Sequence, residues 1–173
     1  MSKEELKIVA VKDIPLGETV LLDNLISIYA ICQKLEILCD KEKGLGISAV
    51  QAGIPLNLFI IKNKKEFDYY INCDYTVAVE EKNSIIMYSI LEGCLSLRDK
   101  DNQLRYFNVQ RYSKVFVSGH KMFLENNQLV LATLDNQLFK GFDAVIMQHE
   151  IDHNFGILIS DIGTEVDIHN RIT

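Results

Sequence analysis

The chain has 173 residues, of which 48% are hydrophobic and 24% are charged, close to the proportions of soluble globular proteins. Its 18 basic and 24 acidic side chains give a formal net charge of −6, which argues against a protein that binds nucleic acid or an anionic membrane through a basic surface. The length fits one domain over residues 1–173 and suffices for a hydrophobic core.

The N-terminal residues Met1 to Ala10 carry charges and are not followed by a long apolar run. A secretory signal needs a continuous apolar segment, and a membrane-spanning helix needs about 20 apolar residues. We therefore expect a cytoplasmic protein that does not associate with a membrane. The four cysteines include no Cys-x-x-Cys pair, and in a reducing compartment we expect their thiols to be free.

The N-terminal half of the chain predicts one helix followed by strands. Apolar residues at helical spacing follow Asp23, a suitable N-cap, and stop signals occur at Lys41, Lys43 and Gly44. Runs of apolar and β-branched residues then predict strands at 56–61, 69–79 and 85–91. The last of these strands leads directly into the segment Glu92 to Ser96.

The C-terminal half predicts further strands and a second helix. Residues 98–108 are polar and charged, and we expect them to form an exposed loop. Extended segments are expected at 114–117, 121–124 and 128–133, with a turn at Asn126-Asn127. The last element is a helix from about Phe142 to Phe155, ended by Gly156. Several strands between an early and a late helix favour an α+β fold.

The sharpest chemical signal is His149-Glu150-Ile151-Asp152-His153, which lies in the second predicted helix. Residues i and i+4 of a helix share one face, so both imidazoles can reach one metal ion, and Glu150 is near enough to take a proton from its water. Such a string can also arise by chance on a helix surface. The preceding apolar stripe should face the interior, where unpaired imidazoles would be costly; it consists of Phe142, Val145 and Ile146. Asp152 could support the ligands or be exposed.

A catalytic metal ion usually has three protein ligands and one position for water. Metalloproteases with this helical motif take the third ligand from downstream. For the type that uses a glutamate the only candidate is Glu165, and the third histidine of the longer protease pattern would fall at Ile159. Cys94 can supply the ligand from upstream, on a turn tight enough to require Gly93. Taken alone, Cys94 would be interpreted as a buried structural thiol.

A third segment, Gly44 to Gln51, has two glycines that permit close backbone approach, and it ends in a neutral amide donor. By itself it is most simply a structural turn after the first helix. The three segments read Gly-x-Gly-x-x-Ala-x-Gln, Glu-Gly-Cys-Leu-Ser and Gln-His-Glu-Ile-Asp-His, and in this order they resemble the three motifs of the peptide deformylase family. The similarity covers about Gly44 to Asp161, and Val109 to Tyr112 is similar to a further family segment, with Gln110 in place of proline.

The resemblance implies a role for residues of all three motifs. The implied ligands of one divalent metal ion per chain are Cys94, His149 and His153. The native ion would be Fe(II), although this ligand set also accepts Zn(II), Ni(II) or Co(II). Glu150 would act as general base and then as general acid. The Gln51 amide and the Leu95 backbone N–H would stabilise the oxyanion.

The same resemblance implies a hydrolase that removes the N-formyl group from the N-terminal methionine of newly synthesised polypeptides and releases formate. The substrate backbone would add as a strand beside Gly44, Leu45, Gly46 and Gly93. The methionine side chain would enter a pocket near Phe142, Val145 and Ile146. The implied fold has small antiparallel or mixed sheets packed around the central metal-binding helix, together with an N-terminal helix.

Departures from the family pattern concern the shape of the cleft. Arg98 stands near where a proline commonly follows the cysteine motif, Cys73 replaces another proline, and the stretches 98–108 and 119–140 are longer than usual. The sequence ends 20 residues after His153, so the C-terminal helix with which some family members dock on the ribosome is not evident. We expect a monomer that acts on N-formylmethionyl nascent polypeptides without direct nucleic-acid binding, and ribosome contact stays open.

Two other functions stay open on the sequence. A metalloprotease could use the same helix, and an assay of a formylated peptide against internal peptide bonds separates the two activities. A catalytically inactive, deformylase-like protein could retain only a structural metal site. Glu150 and Gln51 argue against this second alternative, because a structural site needs neither.

Overall fold

The computed structural model describes residues 5–64, 66–79 and 85–168. Its helices are α1 (Leu25–Lys41), α2 (Gly141–Asn154) and the short α3 (Ile159–Ile162). Its strands are β1 (Gly46–Ser48), β2 (Leu58–Asn63), β3 (Glu66–Val77), β4 (Met87–Arg98), β5 (Leu104–Tyr112), β6 (Lys114–Glu125), β7 (Gln128–Lys140) and β8 (Thr164–Val166). Among the described residues, no helix has the length and apolar character required to cross a bilayer.

The strands form two antiparallel sheets, and α2 lies against both of them. The larger sheet has the order β1-β2-β3-β6-β7, and the smaller one has the order β4-β5-β8. Helix α2 contacts the five strands of the larger sheet and β5 of the smaller sheet. The predicted α+β fold with sheets around a central helix is confirmed. The edge strands β1 and β4 have no strand partner on one side among the described residues, which leaves backbone donors and acceptors for an added strand.

Helix α1 buries one face against the larger sheet, as its apolar spacing predicts. Its buried residues are Ile28, Cys32, Leu35, Leu38 and Cys39. The side chain of Asn24, one residue beyond the predicted Asp23, accepts a hydrogen bond from Ser27 N at 3.0 Å and caps the helix. At the other end Lys43 has φ +58°, and Gly44 N donates to Cys39 O at 2.8 Å, a tight C-terminal turn that fixes the direction of the next segment.

The predicted loop at 98–108 is wrong, because β5 begins at Leu104 and the connection from β4 spans only 99–103. Asn108 and Gln110 lie on the exposed face of β5, whereas Phe107, Val109 and Arg111 lie on the buried face. The two segments predicted at 114–117 and 121–124 are one strand, β6. Gly119, with φ +143°, lies at a bulge that continues the strand rather than ending it.

The expectation that Phe142 faces the interior is wrong, since 60% of this residue is exposed whereas Val145 is only 3% exposed. Because α2 lies between two sheets, its buried surface extends beyond a single stripe. Ala144, Met147 and Ile151 pack into a second hydrophobic core with residues of β3 and β6. Packing against both sheets therefore positions α2, and Gly156, with φ +74°, follows its end as predicted.

Candidate metal centre and substrate cleft

Three side chains from two distant segments meet at the C-terminal half of α2. Cys94 Sγ lies 3.4 Å from His153 Nε2, and His153 Nε2 lies 3.3 Å from His149 Nε2. The three donor atoms all lie within 4.8 Å of one another. The sequence predicted these residues as ligands of one ion, and the structure brings the three donor atoms together.

The separations between these donor atoms fit a tetrahedral metal ion. With bonds of roughly 2.05 Å to nitrogen and roughly 2.3 Å to sulfur, tetrahedral angles place two nitrogens roughly 3.3 Å apart and sulfur roughly 3.6 Å from nitrogen. One thiolate and two imidazoles form a donor set that borderline and soft divalent ions accept. The residues present therefore fit a metal ion.

An irregular segment of β4 directs Cys94 toward α2. Regular pairing between β4 and β5 runs to Gly93, opposite Tyr106, and resumes at Arg98, opposite Leu104. The segment between these pairs is free to turn its side chains toward the helix, as strands commonly do at bulges. The expected tight turn at Gly93 is wrong, because Gly93 lies in the strand. A side chain there would meet the Tyr106 ring, which a Cβ atom would approach to 3.1 Å.

The charges of the site favour the metal-binding form of Cys94. Burial alone would raise the pKa of this thiol, but the neighbouring imidazoles of His153 and His149 outweigh burial and lower the pKa well below its usual value. Burial would lower the pKa of His149, yet its hydrogen bonds with Cys94 and Glu92 raise that pKa well above its usual value. The thiolate, rather than the thiol, is the form that binds a metal ion.

Glu150 places a carboxyl group beside the three donor atoms. It is buried, and its Oε2 atom has no hydrogen-bond partner among the described residues. Burial is the main cause that raises the pKa of Glu150 above its usual value. Gly46 makes this position possible, because a Cβ atom at residue 46 would lie 2.7 Å from Glu150 Oε1.

Gln51 is held on both ends of its amide. Its Oε1 accepts a hydrogen bond from Ser48 N at 3.0 Å, and its Nε2 donates to Ser96 Oγ at 3.0 Å and lies 3.6 Å from Cys94 Sγ. The segment predicted as a Gly-rich turn is strand β1 followed by a short 3-10 helix over Ala49–Ala52, which carries the amide to the metal centre. Leu95, the other expected oxyanion donor, follows Cys94 directly.

A buried ionic network supports His149, and the sequence did not predict it. Glu92 Oε2 lies 2.7 Å from His149 Nδ1, which leaves His149 Nε2 directed at the other donor atoms. Arg111 contacts both oxygens of Glu92, at 2.7 and 3.0 Å, and donates to Asp152 Oδ2. Tyr75 donates its hydroxyl hydrogen to Asp152 Oδ1 at 3.2 Å. The open question about Asp152 is thereby answered, because this residue is buried and ion-paired.

The charges of this network stabilise one another. Burial would raise the pKa of Glu92, but hydrogen bonds with His149 and Arg111 outweigh burial and lower the pKa to about 2. One signal in the sequence could have located Arg111. It stands two residues after Val109 and four after Phe107, so a period of two places a cation on the core-facing side of β5, where it needs buried anions.

We predict that Arg111→Met lowers the free energy of unfolding by about 3–5 kcal/mol, because Glu92 and Asp152 would remain buried without their cation. Urea denaturation of the variant and the wild type measures this loss. Arg105→Met is the control, because Arg105 forms a two-bond ion pair with Glu165 at the surface, where such a pair contributes about 0–1 kcal/mol. Equal decreases in the free energy of unfolding in the two variants would contradict a stabilising role of the buried network.

A cleft of about 260 Å³ adjoins the metal centre between the two sheets. The seven residues predicted to bind substrate all line it: Gly44, Leu45, Gly46, Gly93, Phe142, Val145 and Ile146. Phe142 and Leu45 are largely exposed at its rim, whereas Val145 lies inside. The smaller sheet adds apolar lining that the sequence did not predict, namely Ile90, Leu91, Leu104 and Tyr106.

Comparison with known proteins gives one consistent result. A family model described as "Polypeptide deformylase" matches residues 17–167. A peptide deformylase of Helicobacter pylori (strain J99) is 34% identical over 127 residues, which cover 69% of this chain and 62% of that protein. One from Borreliella burgdorferi is 30% identical over 140 residues, which cover 81% of this chain and 74% of that protein. The chain therefore spans less than two thirds of the length of the Helicobacter relative.

Solved structures of peptide deformylases share the fold. The Synechococcus elongatus protein in complex with actinonin has a TM-score of 0.70 and 22% identity, over 94% of this chain and 81% of that one. The Plasmodium falciparum protein has a TM-score of 0.69 and 26% identity, over 91% of this chain and 86% of that one. The arrangement of two sheets around a buried helix is thus common to these proteins and to this chain.

Proposed function

The chain belongs to the polypeptide deformylase family, and we propose that it is a metal-dependent hydrolase that removes the formyl group from the N-terminal methionine of newly synthesised polypeptides. The observation that carries this proposal is the convergence of Cys94 Sγ, His149 Nε2 and His153 Nε2 beside the buried carboxyl of Glu150. Family membership supports the same activity. A structural metal site would need neither a buried Glu150 nor a held Gln51 amide.

Each polar group of the site has a task in this reaction. A divalent ion held by the three donor atoms would supply Lewis-acid activation of water and of the formyl carbonyl. Glu150 takes a proton from the attacking water, the new C–O bond forms at the formyl carbon, and the C–N bond breaks. The same carboxyl then gives its proton to the departing amine, so that formate and a free N-terminus are released. The Gln51 Nε2 amide and the Leu95 backbone N–H face the negative charge that develops on the formyl oxygen.

The cleft suits a peptide whose first residue is formylmethionine. A substrate backbone can add as a strand between β1 and β4, each of which is an edge strand among the described residues. The methionine side chain enters the apolar pocket that Val145, Ile146 and Phe142 line. The formyl group is small enough for the confined space at the metal centre, which disfavours bulkier acyl groups.

We also propose the identity of the native metal ion, the cellular location and the oligomeric state. The donor set of one thiolate and two imidazoles accepts several divalent ions, and we propose Fe(II) as the native one. Metal analysis of protein purified without oxygen identifies the ion. We further propose a cytoplasmic monomer that acts on nascent chains.

The test of this function compares three substrates on the metal-loaded protein. Formyl-Met-Ala-Ser should release formate, whereas acetyl-Met-Ala-Ser should react at least about a hundredfold more slowly. A longer peptide without a formyl group should stay intact. Cleavage of internal peptide bonds would favour a metalloprotease. A metal-loaded protein that turns over none of the three would favour a binding protein.

We predict that Gln51→Leu lowers kcat by about 10²–10³-fold and changes KM far less, because the amide acts on charge that is present only in the transition state. Steady-state kinetics with formyl-Met-Ala-Ser measures both constants, and metal analysis verifies that the centre is intact. Gln110→Leu is the control, since Gln110 is an exposed glutamine on β5. If KM rises while kcat is retained, Gln51 is only a binding contact.

A further inference from the structure

Arg98, which stands near a common proline position of the family, forms an ion pair with a residue from the other side of the cleft. Its Nη2 atom lies 2.6 Å from Glu42 Oε2, and the partners are 56 residues apart in sequence. The two side chains are only 24% and 27% exposed, so water screens them less than it screens surface pairs. Arg98 Nη1 also donates to Asn102 O at 3.0 Å, which fixes the guanidinium.

The two partners belong to opposite walls of the cleft. Glu42 is the C-cap residue of α1 and directly precedes residues 43–46, which line one wall of the cleft and lead into β1. Arg98 ends β4, whose residues 90–93 form the opposite wall. The walls also touch next to this pair, because a Cβ atom at Gly44 would lie 2.9 Å from Leu95 Cδ1. The ion pair therefore joins the walls at one end of the cleft.

The backbone next to Glu42 and next to Arg98 links the position of this ion pair to the positions of the cleft residues. On one side, the tight turn through Lys43 and Gly44 leaves little freedom between Glu42 and β1. On the other side, β4 leaves its regular pairing with β5 after Gly93 and regains it at Arg98. Arg98 is thus the far anchor of the irregular segment that carries the metal-binding thiol.

We propose that the Glu42–Arg98 ion pair is a positioning clasp that sets the distance between the edges of β1 and β4 and thereby the affinity for a peptide strand inserted between them. The role of the clasp in substrate affinity rests on the proposed function. A strand inserted between two others needs about 4.8 Å on each side, or about 9.6 Å in total. If the walls are free to separate, the peptide must order them when it binds. This entropic cost weakens peptide binding but leaves the reacting groups unchanged.

Single variants Glu42→Gln and Arg98→Met test the clasp. Each should raise KM for formyl-Met-Ala-Ser about three- to fivefold and leave kcat within about twofold, as expected for loss of one partly buried ion pair. The double variant should show no larger rise than either single one, because the interaction is lost only once. Exchanging the charges, with Glu42→Arg and Arg98→Glu together, should restore most of the affinity.

The control is the exposed ion pair between Lys41, on the last turn of α1, and Glu5 from the N-terminal segment, whose atoms are 2.7 Å apart. Glu5→Gln should leave KM unchanged. If Arg98→Met also leaves KM unchanged while the wild type turns over the peptide, the proposed role of the clasp is wrong and the proposed function stands. A wild type without turnover would instead contradict the proposed function.

Hydrogen exchange tests the clasp independently of activity. In Arg98→Met the backbone amides at 43–46 and 95–97 should exchange about fivefold faster than in the wild type, because opening of the walls becomes easier. Amides of the β6–β7 hairpin, at the edge of the larger sheet opposite β1, should be unchanged. Equal exchange at the walls in variant and wild type would overturn the clasp.

Discussion

Replacing Glu150 with glutamine is expected to lower kcat for a formylated peptide by about 10²–10⁴-fold while the metal ion stays bound. The three donor atoms are on other residues, so the ligand set is intact in this variant. An amide has nearly the same shape as the carboxyl but cannot take a proton from water. The variant thus separates proton transfer from metal binding, and kinetics with metal analysis of the same samples measures both.

The control for this variant is Glu125→Gln, which makes the same chemical change at the exposed end of β6. It should retain full activity. An alternative base would be indicated if Glu150→Gln kept its metal ion and worked within about tenfold of the wild type. A loss of the metal ion in Glu150→Gln would show instead that the carboxyl supports the metal centre.

Cys94→Ala is expected to weaken metal binding by at least about a hundredfold and to abolish turnover. Loss of a group that merely supports a ligand commonly costs 10- to 100-fold in affinity, and the loss of a ligand itself should cost at least as much. The remaining imidazoles of His149 and His153 would hold the ion with two bonds. Competition with a chelator measures the affinity, and the formyl-peptide assay measures the activity.

Cys73→Ala is the matched control, because Cys73 is also a buried free cysteine but packs in the core between β3 and α2. It should lose some stability and keep its metal ion. Unchanged metal affinity in Cys94→Ala would contradict the ligand assignment. Circular dichroism of both variants verifies that the fold is retained.

Helices α1 and α2 could be predicted because their local sequence signals agree with their packing, whereas the short α3 was not predicted. Helix α1 has a cap, a single apolar face and a clear stop, and all three are present in the structure. The start of β5 was missed because residues 104–108 include the charged Arg105 and the polar Asn108, and only Phe107 among them is fully buried. Hydrophobicity alone does not distinguish such a half-exposed strand end from an exposed loop.

The site could be predicted to the extent that its chemistry lies in contiguous motifs. Two histidines one helical turn apart place both imidazoles on the same face of the helix. The family resemblance added Cys94 and Gln51 to the predicted site residues. The network of Glu92, Arg111 and Asp152 depends on the pairing of β4 with β5 and on their packing against α2, which local sequence does not specify. The wall of the cleft formed by the smaller sheet was missed for the same reason.

The most direct test of the metal centre is a titration of metal-free protein with Co(II), in which thiolate-to-cobalt absorption and formyl-Met-Ala-Ser turnover are measured on the same samples. Binding through Cys94 and the two imidazoles predicts that both signals rise together and saturate at one ion per chain. Turnover by the metal-free protein, or saturation with cobalt without the thiolate band, would contradict the proposed centre.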